Sequence, residues 1–146
     1  MNDFLENKFL FVPFLVWFCI QVFKFITDLI INKKPNFKRL FGAGGMPSSH
    51  SAIVATLTTL IGREYGWGSG IFAVSFIFSA IVMYDAAGVR RAAGKQATIL
   101  NKLVENYPNS NIIVSEKLVE VLGHTPFQVF IGAVVGILVG ALYGIF

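Results

Sequence analysis

The chain has two histidines, His50 and His124, and imidazole is the side chain best suited to move a proton near neutral pH. A lone histidine is more often structural than functional. Two in similar glycine-, serine- and proline-rich settings invite a chemical reading. Around the first runs Gly42-Ala43-Gly44-Gly45-Met46-Pro47-Ser48-Ser49-His50-Ser51. Glycines let a backbone approach an anion closely, and a helix that starts here offers free amide hydrogens and a partial positive charge. Ser48 and Ser49 add hydroxyls, and Lys38 and Arg39 add cations just upstream. This is the composition of a phosphate cradle. The alternative is a glycine-rich turn with serine caps, and composition alone does not choose between them.

The elements that must position these residues are apolar. Of 146 residues 55% are hydrophobic and only 14% charged, about half the charged share of a soluble domain, and the mean hydropathy is +0.67. Lipid is therefore the expected solvent, and the length allows one domain, 1–146. Apolar runs at Phe9–Thr27, Ile71–Ala87 and Phe127–Phe146 are long enough to cross a bilayer. A shorter run, Ser51–Ile61, reads as a further span that starts early, near Met46 or Pro47, since proline suits a first helical position. Gln21 and Lys24 fall near one end of the first run, where Lys24 can snorkel toward headgroups. The fold class expected is all-α: a polytopic membrane bundle of about four transmembrane helices.

Between the last two spans, Val89, Ala93, Ala97, Leu100, Leu103 and Val104 recur at helical spacing, with Arg91, Lys95, Thr98 and Lys102 on another face. This predicts an amphipathic helix on the membrane surface. A second short helix over Ser115–Leu122, capped by Ser115, would follow. Gly132, Gly136, Gly140 and Gly144 form a stripe on the last span, suited to close helix packing inside the molecule or to a homo-oligomer interface.

Charge orders the topology. Lys33, Lys34, Lys38 and Arg39 lie in one loop, and Arg90, Arg91, Lys95, Lys102 and Lys117 in another. Four spans put both loops on one side, and the positive-inside rule makes it the cytoplasmic face of the inner (plasma) membrane. His50 and His124 then share that boundary.

Pro47-Ser48-Ser49-His50-Ser51 resembles the signature of the type 2 phosphatidic acid phosphatase (PAP2) and vanadium haloperoxidase superfamily, and Gly123-His124-Thr125-Pro126 with its glycine-rich helix resembles that superfamily's last motif. With Tyr84-Asp85-Ala86-Ala87-Gly88-Val89-Arg90-Arg91, the chain as a whole most closely resembles the divergent PAP2 family of small bacterial membrane proteins. The resemblance implies that His124 attacks phosphorus, that His50 protonates the leaving oxygen, and that Ser48, Ser49 and neighbouring amides hold phosphate oxygens. It implies no metal or other cofactor. Its substrate would be a lipid phosphate or pyrophosphate within the bilayer, and it implies no nucleic-acid partner. The chain departs from the superfamily pattern in three places. The aspartate that orients the nucleophile is Gln128 here, with Glu120 and Asp85 as acidic alternatives. The arginine six residues before the nucleophile is Leu118. The upstream lysine-arginine motif is not reproduced, which leaves Arg90, Arg91 and Lys95 as sources of the missing charge. The departures keep a second function open: a catalytically lapsed relative that binds phospholipid headgroups as a scaffold. A channel is disfavoured, because no charged residue stands at the centre of a span.

Overall fold

The computed structural model of the chain describes residues 6–37, 45–106, 118–120 and 123–144, and five helices lie among them. They are α1 (Lys8–Asn32), α2 (Ser49–Tyr65), α3 (Gly70–Ala87), α4 (Val89–Asn106) and α5 (Pro126–Leu142), and the described residues contain no strand. The all-α expectation holds. α1 starts where the Asn7 side chain accepts from the Phe9 amide, and it ends at Lys33 in the left-handed region. α2 begins later than the sequence suggested. Ser48 is its cap, and Pro47 lies outside the helix rather than at its first turn. α2 then runs on to Tyr65, so the turn to α3 shrinks to Gly66–Ser69. Residues 118–120 are not helical, contrary to the short helix expected there; the rest of that segment, apart from Gly123 onward, lies outside the described residues.

α2 is the axis of the bundle, with α1, α3 and α5 packed around it. Its contact with α5 explains the glycine stripe. A Cβ on Gly132 would collide with the Ser48 carbonyl, one on Gly136 with the Ala52 carbonyl, and one on Gly140 would sit 2.8 Å from Thr59 Cβ. Thr56 donates from its hydroxyl to Ala52 O (2.8 Å) and, across the interface, to Gly136 O (3.1 Å). Small residues thus let two backbones come close enough for a hydrogen bond between helices. Gly132, Gly136 and Gly140 are buried in this internal contact, the first of the two uses expected of the stripe.

α3 shows which solvent surrounds the bundle. Its inward residues are hydroxylic: Thr58 of α2 shares hydrogen bonds with Ser75 (2.8 Å) and Ser79 (2.6 Å), and Ser79 donates to Val54 O (3.1 Å). Its outward residues are apolar: Val74 is 71% exposed while Ser79 is 4% exposed. Polar groups inside and hydrocarbon outside is the reverse of a water-soluble helix, and it fits a helix whose outer face meets lipid. α1 and the continuous α3–α4 stretch are long and apolar enough to cross a membrane.

Lys24 does not snorkel outward. It is 3% exposed, turned into the bundle on the same face of α1 as the buried Gln21.

Candidate functional site

The helices alternate in direction, so the start of α2, the end of α3, the start of α5 and the second half of α1 converge at one end of the bundle. The opposite end is tied by Lys8–Glu64 (2.5 Å), Phe9 stacked on Tyr65 (5.6 Å) and Arg63, which donates to Gly140 O (2.9 Å) and Tyr143 O (2.7 Å). Arg63 thereby closes the last turn of α5.

At the converging end the two imidazoles meet. The ring centroids of His50 and His124 are 5.9 Å apart, inclined at 63°. His50 is the second residue of α2 and rides on a helix N-terminus. His124 is held by its backbone: its amide donates to Ala86 O at the end of α3 (2.9 Å), and Thr125 caps α5 immediately afterwards. Gly123 makes that approach feasible. It sits at φ +81° against the Arg90 and Arg91 backbone, where a side chain would collide. A further backbone bond, Ser48 N to Gln128 O (3.1 Å), locks the first turn of α2 to the first turn of α5.

His124 is 3% exposed, and among the described residues neither of its ring nitrogens makes a well-formed hydrogen bond; His50 Nδ1 is buried and unpartnered among them as well. Burial holds the His124 imidazole below the ordinary histidine value of 6.5. Lys24 pushes the same way, the Gln128 side chain pushes back, the His50 charge lowers it further and the nearby Gly45 backbone raises it. The ring is therefore neutral at pH 7, with its nitrogen lone pair free: the state a nucleophile requires. Lys24, buried within reach of this ring, is the site residue that sequence reasoning misplaced. Its signal was available, since a lysine one turn after a glutamine inside an apolar run is costly unless it faces a polar interior.

The structure does not bring the other expected residues to the imidazoles equally. Ser48 is fully buried, and its Oγ accepts from the Ser51 amide (3.4 Å) and hydroxyl (3.0 Å), so its acceptor capacity goes into capping α2; Ser49 is buried beside it. Gln128 Oε1 accepts from the Thr125 amide (3.0 Å) in a capping box while its side chain stays near enough to the His124 ring to raise its proton affinity. Glu120 lies against α4, its carboxylate accepting from Asn101 Nδ2 (2.8 Å) and Thr98 Oγ1 (3.2 Å). Asn101 also brackets the Leu118 backbone, donating to its carbonyl (2.9 Å) and accepting from its amide (3.1 Å). Asp85 has the cationic partner its position demanded, Arg90 Nε at 2.6 Å, rather than an imidazole. That pair lies within electrostatic reach of His50. Arg91 and Lys95 are exposed on α4, and Lys38 and Arg39 lie outside the described residues. Among the described residues no three His, Cys, Asp or Glu side chains cluster as metal ligands.

The sequence pattern of the Divergent PAP2 family matches residues 5–139, which takes in both histidine motifs and all five helices but for the end of α5. The chain belongs to the divergent PAP2 family. It is 45% identical over 132 residues to the uncharacterized membrane protein YuiD of Bacillus subtilis (strain 168), covering 81% of this chain and 82% of that one. No solved structure matches. The chain is thus a PAP2-related membrane protein, in agreement with the outward apolar faces of α1 and α3.

Proposed function

We propose that this divergent PAP2 protein is a lipid phosphatase or phosphotransferase that works through a phosphohistidine without a metal, on a lipid phosphate or pyrophosphate. The observation that carries the reading is the pair of imidazoles 5.9 Å apart at the N-terminus of α2, one of them buried, neutral and unpartnered. With their ring centroids 5.9 Å apart, the two imidazoles are close enough to serve one phosphorus, one as the attacking nitrogen and the other as the proton donor to the leaving oxygen. His124 attacks phosphorus, the P–O bond to the lipid breaks, and His50 gives its proton to the departing oxygen. Water, deprotonated by His50, then releases phosphate from His124. The first-turn amides of α2 and the Lys24 side chain are the proposed sources of positive charge for the equatorial oxygens. Arg90 and, from α4, Arg91 and Lys95 supply more from the rim.

In this reading the protein is multi-pass in the inner membrane, with the site and both basic loops on the cytoplasmic face, where the exposed apolar side chains of α4 (Ile99, Leu100, Leu103) rest on headgroups. In a Cys19→Ser background, cysteines at positions 36 and 109 should resist a membrane-impermeant thiol reagent in intact cells. Ready labelling at both would move the site to the outer face.

One observation favours a second reading. Gln128 is engaged in its capping box, and among the described residues no carboxylate is hydrogen-bonded to His124, so no full negative charge supports an imidazolium there. A lapsed enzyme that still grips phospholipid headgroups would look like this. Phosphate release from phosphatidate, phosphatidylglycerol phosphate and polyprenyl pyrophosphate by the purified protein decides between them. Turnover that His124→Ala abolishes supports the enzyme. Headgroup binding without turnover by the wild-type protein supports the scaffold.

A further inference from the structure

The face of α2 that carries His50 continues into an apolar groove. Ile53 and Leu57 follow His50 by three and seven residues and so lie on the same side of the helix. They form one wall of a cavity of about 420 Å³ whose other wall is α1, chiefly Trp17, Phe14 and Phe9. On α1, Trp17 shares a face with Gln21 and Lys24, four and seven residues on. The antiparallel register is fixed at both ends, by Lys24 near the imidazoles and by Phe9 stacked on Tyr65 at 5.6 Å. The groove therefore begins about 5 Å below the imidazoles and runs to about 20 Å, by the rise of the two helices. That matches one leaflet of a hydrocarbon core roughly 30 Å thick.

We propose that this α1–α2 groove holds the hydrocarbon chain of the lipid phosphate whose head lies between His50 and His124; the assignment rests on the phosphate reading of that site. An amphiphile with an anionic end and an apolar chain fits a buried cation and imidazole pair set at the top of an apolar channel. A groove of about 330 Å³ lined by Ala55, Thr59 and Ala80 uses the face of α2 turned away from His50, so it does not continue the site; another of about 410 Å³, lined by Ile20, Phe23 and Ile131, is bordered by Met46 and Pro47 and, among the described residues, by no imidazole or cation. Chain length rather than head chemistry alone then sets substrate preference. Phosphates on chains too short to reach Trp17 bind through the head only.

The test uses the purified full-length protein in detergent, with Trp67→Phe leaving Trp17 as the single tryptophan. Dodecyl phosphate brominated at mid-chain should quench Trp17 saturably, and unbrominated dodecyl phosphate should reverse the quenching. Brominated dodecanol should quench far less. Leu57→Phe and Ile53→Phe, which fill the groove, should each weaken dodecyl phosphate binding about tenfold and leave the binding of inorganic phosphate, followed by ³¹P line broadening, unchanged. Ala80→Leu, in the groove lined by Ala55 and Thr59, should do neither. If dodecyl phosphate and inorganic phosphate bind equally well, and the groove-filling variants bind both as wild type does, the groove assignment is overturned while the phosphate site stands. The assignment is likewise overturned if Ala80→Leu is the variant that weakens binding, or if Leu57→Phe changes the particle mass from dimer to monomer without touching ligand affinity. If neither phosphate probe binds, the phosphate reading itself fails and takes this assignment with it.

Discussion

Gly132→Ala perturbs the site without touching a reacting group. The new Cβ would fall on the Ser48 carbonyl oxygen, with the Ser48 carbonyl carbon and Cβ at 3.1 Å. None of these is the mobile end of a flexible side chain, so relief requires α2 and α5 to separate by about 1 Å to regain ordinary carbon contact distances. Overpacking of this kind costs about 1–3 kcal/mol. The strain is placed where it matters, because Ser48 N donates to Gln128 O between the same two helix starts, and His50 and His124 flank that bond. A misplacement of about 1 Å between reacting groups can lower turnover on the order of 100-fold. Gly132→Ala should therefore unfold several degrees earlier and lose most of its phosphate release while still binding detergent and migrating as a discrete particle. Gly68→Ala, where a Cβ meets nothing within 4 Å, is the matched control. Tryptophan-monitored melting and a turnover assay on the preferred lipid read both effects. A Gly132→Ala protein with wild-type melting and turnover would refute the argument that backbone contact at this glycine sets the imidazole geometry.

The depressed proton affinity of His124 fixes a pH dependence. The nucleophile is the neutral ring, so kcat/KM should hold below pH 6.5 and fall only as pH drops through the lowered folded value; a limb at or above 6.5 contradicts the burial argument. The same shift makes stability linked to this ring fully present above 6.5 and lost as pH falls below it, which a melting series in buffers spanning the acid to neutral range would show as a declining Tm on the acid side. Lys24→Met should move the acid limb upward, since a lowering charge is removed, and should raise KM for the lipid phosphate; no change in either would take Lys24 out of the site. Glu120→Gln should leave the pH profile unaltered and loosen the 118–120 segment, seen as faster amide exchange at Leu118, because its partners are Thr98 and Asn101; a lost acid limb would instead restore it as the orienting acid.

Much of this is legible in the sequence because the informative residues are the ones that lipid makes expensive or useless. Histidines and a proline-serine run at the edge of an apolar span have few structural reasons to be there, so their types alone locate the end of the bundle where the site lies. The glycine repeat on α5 announces a close helix contact, yet spacing cannot say with which partner; only the Ser48 and Ala52 carbonyls against Gly132 and Gly136 settle it. The two misreadings share a cause, which is that spacing along the chain stands in for direction in space. A separation of four residues between Glu120 and His124 brings them together only on a continuous helix, and residues 118–120 are not helical but held against α4. For Lys24, closeness to a helix end matters less than the face it occupies: it stands three residues from Gln21, and both are buried.

Lys24 and Gln128 together suggest how such a site works without the usual acid. An aspartate behind a nucleophilic histidine raises the basicity of the ring and holds the imidazolium once phosphorus is bonded. Here the opposite is arranged: burial and a neighbouring lysine keep the ring neutral, and Gln128, which raises its proton affinity, is an uncharged amide that also serves the Thr125 cap. In the proposed reaction the ring attacks as a weaker base in a higher fraction of its reactive form, and the positive charge that would burden the imidazolium is offset by the dianion it has bonded. That trade favours an anionic substrate over a neutral one, because bound phosphate supplies the negative charge the protein withholds. Lys24 is unfavourable to a protonated His124 in the empty site and favourable to phosphate in the filled one, which is the difference an anion-binding lysine beside a neutral imidazole supplies.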